Sequence, residues 1–167
     1  DLGLIVHITS GVARIVMPFM AHYSASKFAV EALAESYRYE LAPLGVDSVV
    51  VEPGAYPTPI MGKMVGGADE SRIPGYGAVA ELPQKIGESL GAYFESENAP
   101  NPQEVADAVA TLVDTPAGSR PVRVLVGADV QSITPLNDAA DVVQREWLEG
   151  MQLGELTKLK VAQKVAG

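Results

Sequence analysis

Residues 2–8 and 47–52 are short runs dominated by aliphatic and β-branched side chains, separated by one long stretch of helix formers. This alternation constrains the fold more than any other feature of the chain. A short, nearly continuous apolar run suits a strand covered on both faces, as in a parallel sheet. Residues 20–41 are rich in Ala, Glu and Leu and predict a helix. Phe28, Ala32, Leu33, Tyr37 and Leu41 recur near the helical period and mark an apolar stripe on it. Ala42-Pro43 stops the helix, because the residue before proline avoids helical geometry. Strand, helix, strand is a crossover unit, expected to be right-handed. It brings the loop after residue 52 beside the loop after residue 8, at the sheet edge where α/β folds bind ligands.

Three elements with chemical potential lie on that edge. Ser10 follows the first strand. Tyr23 and Lys27 stand four positions apart near the start of the helix, and such positions share a helix face. Pro53-Gly54-Ala55-Tyr56-Pro57-Thr58 follows the second strand. In order and spacing, Ser10, Y-x-x-x-K and P-G-x-x-x-T make residues 3–58 resemble the catalytic half of the short-chain dehydrogenase/reductase family. A later strand ending in Val126-Gly127-Ala128-Asp129 extends the resemblance. It implies an α/β, Rossmann-like, doubly wound parallel sheet, here its carboxyl-terminal half of about three parallel strands with flanking helices. It also implies hydride transfer between NAD or NADP and a small carbonyl or alcohol.

The residue types suit that chemistry. A carbonyl reduction needs a proton as well as a hydride, and a phenol can relay it. An ordinary phenol has a pKa of about 10, which a nearby cation lowers toward the working pH. Lys27 is placed to do so for Tyr23. Ser10 supplies a hydroxyl donor to the substrate oxygen as charge develops there. The resemblance gives Tyr23 the acid/base role, Ser10 the orienting role, and Lys27 a further bond to the nicotinamide ribose. It assigns Tyr23, Lys27, Pro53, Gly54, Tyr56 and Thr58 to the cofactor, with Thr58 on the carboxamide. Tyr56-Pro57 departs from the family pattern, in which smaller aliphatic residues are usual at the position of Tyr56.

Ser24-x-x-Lys27 also fits S-x-x-K, the nucleophile signature of penicillin-binding enzymes, and Ser96-Glu97-Asn98 imitates its second box. No K-T-G follows, and the surrounding strands are those of an α/β unit. Gly75-x-Gly77-x-x-Ala80 loosely fits a dinucleotide fingerprint, but no strand precedes it, so it reads as a turn into a helix.

Residues 59–80 are rich in Gly, Pro and Met and correspond by position to the family's substrate-covering segment. Met61 and Met64, with Ile73 and Tyr76, are candidate substrate-lining residues; an exposed loop with scattered apolar residues is the alternative. Leu82, Ile86, Leu90 and Tyr93 predict a helix over 81–95. Asn101-Pro102, with Glu104 behind them, predicts a capped helix to about residue 114, with Val105, Ala108, Val109 and Leu112 inward. Residues 122–126 form a third strand. Asn137 is expected to cap a docking helix over 137–150 that carries Trp147. Residues 151–167, with Lys158, Lys160 and Lys164, read as a frayed or packed tail. The domain expectation is one partial catalytic domain over 1–167, divided into 1–58, 59–100, 101–150 and 151–167.

Composition bounds the rest. With 167 residues, 47% hydrophobic and 20% charged, one packed domain is expected. The net charge of −9 and a pI near 4.6 argue against nucleic-acid and anionic-lipid partners. No apolar run is long enough to span a bilayer. There is no cysteine, which fits the cytoplasm, and only His7 and His22 are present, so no metal site is expected. His7, inside the first strand, reads as packed and hydrogen-bonded rather than as a ligand. No Gly-rich phosphate turn precedes the first strand, which leads to the expectation of a carboxyl-terminal fragment, a partial chain or a truncated reading frame. On that expectation residues 1–167 alone bind NADH and NADPH weakly. The alternative function is a non-enzymatic binding or dimerisation module. The resemblance implies a homodimer or homotetramer at full length.

Overall fold

The structure is a computed structural model that describes residues 2–161, apart from the side chain of Met61. The chain forms two compact units, one made of Asp1–Gly54 with Gln103–Gly167, the other of Ala55–Pro102.

The first unit is built on a three-stranded parallel sheet in the order β1-β2-β3 with flanking helices, a Rossmann-like arrangement. Strand β1 is Gly3–Ile8, β2 is Val46–Pro53 and β3 is Arg123–Val126. The register runs from Gly3↔Val46 to Ile8↔Val51 and from Val50↔Arg123 to Pro53↔Val126. Central β2 carries the core: Val49, Val50 and Val51 are all but inaccessible to solvent. The two edge strands are partly covered, and Ile5 and Ile8 of β1 are exposed.

Helix α1, Ala21–Leu41, crosses from β1 to β2 and stops just before Ala42-Pro43, as the sequence predicts. Its inward face is not the predicted apolar stripe. Phe28, Leu33 and Tyr37 are exposed, while Ser24, Glu31 and Ala34 are buried. The sheet-facing residues are largely polar because their partners are polar. Arg38 donates to Ser48 O (3.3 Å), Ser48 Oγ donates to Ala34 O (2.8 Å), and His7 Nε2 bonds Ser48 Oγ (3.0 Å). His7 is thus a packed, hydrogen-bonded residue, with its pKa lowered by burial.

Two further helices of this unit are α3, Gln103–Asp114, and α4, Thr134–Gly150. In α3 the predicted inward residues Val105, Ala108 and Val109 are half-buried and Leu112 is buried. Helix α4 starts three residues before the expected cap. Thr134-Pro135 opens it, since proline is tolerated in a first turn, and Asn137 lies inside it, buried and hydrogen-bonded. After α4, Gly154–Thr157 form a short 3-10 turn, and Lys160 N donates to Ala42 O (2.9 Å), so this part of the tail is packed. Lys164 lies outside the described residues.

The second unit carries a 3-10 segment, Glu70–Glu81, interrupted at Gly77 (φ 54, ψ −135), which runs directly into α2, Leu82–Phe94. The Gly75–Ala80 match therefore sits in a turn that leads into a helix.

Candidate functional site

The candidate site begins where β1 ends. Ser10 is extended (φ −175, ψ 157) and starts a 3-10 turn over Gly11–Ala13. Its Oγ accepts from Val12 N at 3.4 Å, a bond that uses a lone pair of the oxygen and not the hydroxyl proton. The backbone after Ser10 is held closely. A Cβ on Gly11 would lie 2.4 Å from Val130 Cγ1, so only glycine lets the chain pass there.

Helix α1 reaches this strand end with two successive turns. Lys27 Nζ donates to Ile8 O at 3.2 Å and lies 5.7 Å from the centroid of the Tyr23 ring, within cation–π range. Burial holds the Lys27 ammonium below its ordinary pKa. One turn on, Glu31 Oε1 accepts from Thr9 Oγ1 at 2.6 Å. The Tyr23–Lys27 face is therefore fastened to residues 8 and 9, immediately before Ser10. Ser24, the nucleophile of the S-x-x-K alternative, is only 3% exposed, and its hydroxyl has no partner. That burial denies it the access an acyl-transfer nucleophile needs.

The neighbouring strand end carries Pro53 and Gly54. Thr9 N donates to Val51 O (2.9 Å), which keeps the ends of β1 and β2 level, and Gly54 N donates to Val126 O (2.8 Å). A Cβ on Gly54 would lie 1.9 Å from Asp129 Oδ1, so glycine here permits a close approach of backbone to the Asp129 carboxylate. The first unit thus carries Ser10, Tyr23, Lys27, Pro53 and Gly54. The remaining sequence candidates belong to the second unit. There Tyr56 is buried, and Thr58 lines an open, mainly apolar cavity of about 490 Å³ with Pro57, Pro59, Gly87, Leu90, Gly91 and Phe94. Met64, Ile73 and Tyr76 are exposed. The side chain of Met61 lies outside the described residues.

Sequence reasoning missed a buried charge cluster in the first unit. Arg123, at the start of β3, is 5% exposed at its side chain and pairs with Glu35 and Asp141 through its two terminal nitrogens. Its Nε lies 3.5 Å from both Glu31 Oε2 and Glu52 Oε1; these are ion contacts too poorly aligned to be hydrogen bonds. Asn137 donates to Glu52 Oε2 (2.7 Å) and accepts from Arg14 Nε (2.7 Å). A second buried pair, Arg120–Asp47 at 3.0 Å, sits at the other end of β2. The available signal was a charged residue inside or beside each apolar strand run, Glu52 in one and Arg123 in the other. A strand covered on both faces cannot keep such a charge without a partner.

Burial is the main reason Glu52 is pushed up to about 7, with the Glu31 charge adding to it and Asn137 opposing. Glu31 is raised as well, again mainly by burial. A carboxyl whose folded pKa exceeds its unfolded value stabilises fully below the unfolded pKa, and that contribution is lost as the pH rises through the folded one. For Glu52 the window runs from the ordinary 4.5 up to about 7. The difference in unfolding free energy between wild type and Glu52→Gln should therefore fall by about 2–3 kcal/mol between about pH 5 and about pH 8. Urea titrations at several pH values check this, and a difference that stays flat or grows with pH contradicts the assigned direction.

Among the described residues no helix is long and apolar enough to cross a membrane. The family description short chain dehydrogenase matches residues 1–67. The NADPH-dependent 3-dehydrocapnine reductase of Ornithobacterium rhinotracheale is 36% identical over 87 residues, which cover 52% of this chain and 31% of that protein. A solved short-chain dehydrogenase from Streptomyces avermitilis superposes with a TM-score of 0.58 at 25% identity, covering 90% of this chain and 51% of that one. A short chain dehydrogenase from Burkholderia cenocepacia, solved in complex with NADP, gives 0.50 at 26% identity, covering 88% and 47%. The chain thus spans about a third to a half of the length of these relatives. Matched at its first strand–helix–strand over residues 1–67 and, in fold, across its sheet, it is similar to the short-chain dehydrogenase/reductase family.

Proposed function

We propose that the chain is the catalytic part of an NAD(P)-dependent oxidoreductase that interconverts a small carbonyl compound and its alcohol. Tyr23 is the acid/base, Lys27 the cation that tunes it, and Ser10 the hydroxyl that holds the substrate oxygen. The observation that carries this is the seat of Lys27, 5.7 Å from the Tyr23 ring centroid and hydrogen-bonded to the backbone two residues before Ser10. An ammonium has three N–H donors. One goes to Ile8 O, and the remaining two suit the vicinal hydroxyls of a ribose, so the donor set fits the nicotinamide riboside end of NAD or NADP.

The nicotinamide, when bound, supplies or accepts the hydride. In the reducing direction the Tyr23 hydroxyl gives its proton to the substrate oxygen, and in the oxidising direction the phenolate takes it back. The Lys27 ammonium stands beside the Tyr23 ring, 5.7 Å from its centroid. Ser10 Oγ–H donates to the same oxygen as negative charge develops. Pro53, Gly54, Tyr56 and Thr58 are assigned to the nicotinamide by their match to the family's P-G-x-x-x-T, and Met61 and Met64 to the substrate. The NADP held by the Burkholderia chain supports a dinucleotide cofactor here. The exposed Phe28, Leu33 and Tyr37 along α1 support self-association, as a homodimer or homotetramer.

The test is nicotinamide oxidation by the protein at the full length its gene encodes, followed by absorbance with NADPH and NADH across a panel of ketones and keto esters. Carbonyl-dependent oxidation of one cofactor, lost in Lys27→Met, is the expected result. If neither cofactor is consumed, and no alcohol in the matching panel reduces the oxidised forms, the oxidoreductase assignment fails and a binding module remains.

A further inference from the structure

Lys27 and Glu31 stand four residues apart on one face of α1, the spacing at which opposite charges ordinarily pair. They do not pair here. Lys27 gives its hydrogen bond to Ile8 O, and Glu31 accepts from Thr9 Oγ1 at 2.6 Å and faces Arg123 Nε at 3.5 Å. Thr9 and Glu31 are both nine-tenths or more buried, so the bond between them is dry and firm. Thr9 Oγ1 has one proton to give, and of its two acceptors Glu31 at 2.6 Å is nearer than Val51 O at 3.2 Å.

A lysine engaged by the next carboxylate along its helix would have its charge cancelled beside the phenol. We propose that Thr9 and Arg123 are positioning residues that hold the Glu31 carboxylate away from Lys27, which leaves the ammonium free for Tyr23 and for a cofactor diol. This rests on the oxidoreductase assignment above for its purpose, though not for its geometry. The Lys27 environment agrees with it. Burial is the cause of its lowered pKa, the direction opposite to that in which a paired carboxylate would move it.

The experiment is a pH titration of the Lys27 side-chain nitrogen by NMR on the protein at the full length its gene encodes, without cofactor or substrate. Thr9→Val keeps the β-branched shape and deletes the hydroxyl. It should free Glu31 to swing toward Lys27 and raise the Lys27 midpoint by roughly one pH unit, as an opposite charge within a few ångströms does. Thr9→Ser should restore the wild-type midpoint. Glu31→Gln alone should leave Lys27 nearly unmoved, because the carboxylate is already held off. Thr9→Val added to Glu31→Gln should then have no effect on the midpoint.

An unchanged Lys27 in a folded Thr9→Val variant overturns the proposal. If Thr9→Val does not fold, Glu31→Gln decides. A clear drop in the Lys27 midpoint there means that Glu31 already acts on the ammonium, and the proposal is wrong. None of these titrations needs turnover. Failure of the carbonyl screen with the predicted Lys27 shifts would sink the oxidoreductase assignment and keep the positioning, and the reverse pattern would do the opposite.

Discussion

Tyr23→Phe should lower turnover by roughly 10²–10⁴-fold, the usual contribution of a positioned acid/base. Nicotinamide affinity should fall far less, because a Tyr23 contact to the cofactor is lost but the ammonium donors of Lys27 stay. The substitution removes one oxygen and keeps the ring. The Lys27 ammonium retains its aromatic neighbour and its bond to Ile8 O, so the cation that would hold the ribose stays in place. Lys27→Met should behave differently, losing both turnover and affinity, since it removes the ribose donors and the field on the phenol together. Steady-state rates alongside direct titration of cofactor fluorescence separate the two outcomes. Tyr23→Phe with a rate within a factor of about ten of wild type would assign proton transfer to another group.

The parts of this molecule that could be read from sequence are those specified locally. Strands β1 and β2 are β-branched runs, and α1 ends where Pro43 requires it. The Tyr23–Lys27 relation is a property of one helical turn, and Ser10 and Gly54 follow from where strands end. What escaped was specified at long range. Glu31 is buried on α1 because Thr9 and Arg123 await it, and Arg123 is 88 positions from Glu35 in sequence. Hydrophobic periodicity consequently selected the wrong face of α1, giving weight to Phe28, Leu33 and Tyr37 when the sheet takes the polar face. Asn137 has the composition of a cap, yet its amide bridges Glu52 and Arg14 across 85 and 123 positions. No local rule reports such partners.

Arg123→Met should lower the stability of the first unit by about 3–5 kcal/mol at pH 8, the usual cost of removing one member of a buried ion cluster. Four carboxylates face the guanidinium, but they do not share the loss equally. Asp141 is 42% exposed at its side chain and Glu35 23%, so water can take over part of their solvation. Glu31 and Glu52 are 3% and 0% exposed, with no water to replace the cation. Both already have raised pKa values, so the cheapest response to losing Arg123 is to bind protons. The destabilisation should therefore shrink markedly near pH 5, where Glu31 and Glu52 can be neutral. It should also shrink at pH 8 when Glu31→Gln and Glu52→Gln are added to Arg123→Met, since the two fully buried carboxylates that lost their cation are then neutral amides. Urea midpoints of the single and triple variants at the two pH values give all four quantities. A loss that is the same at both, or that the two glutamines leave untouched, would mean that Arg123 acts through the packing of its stem and not through its charge.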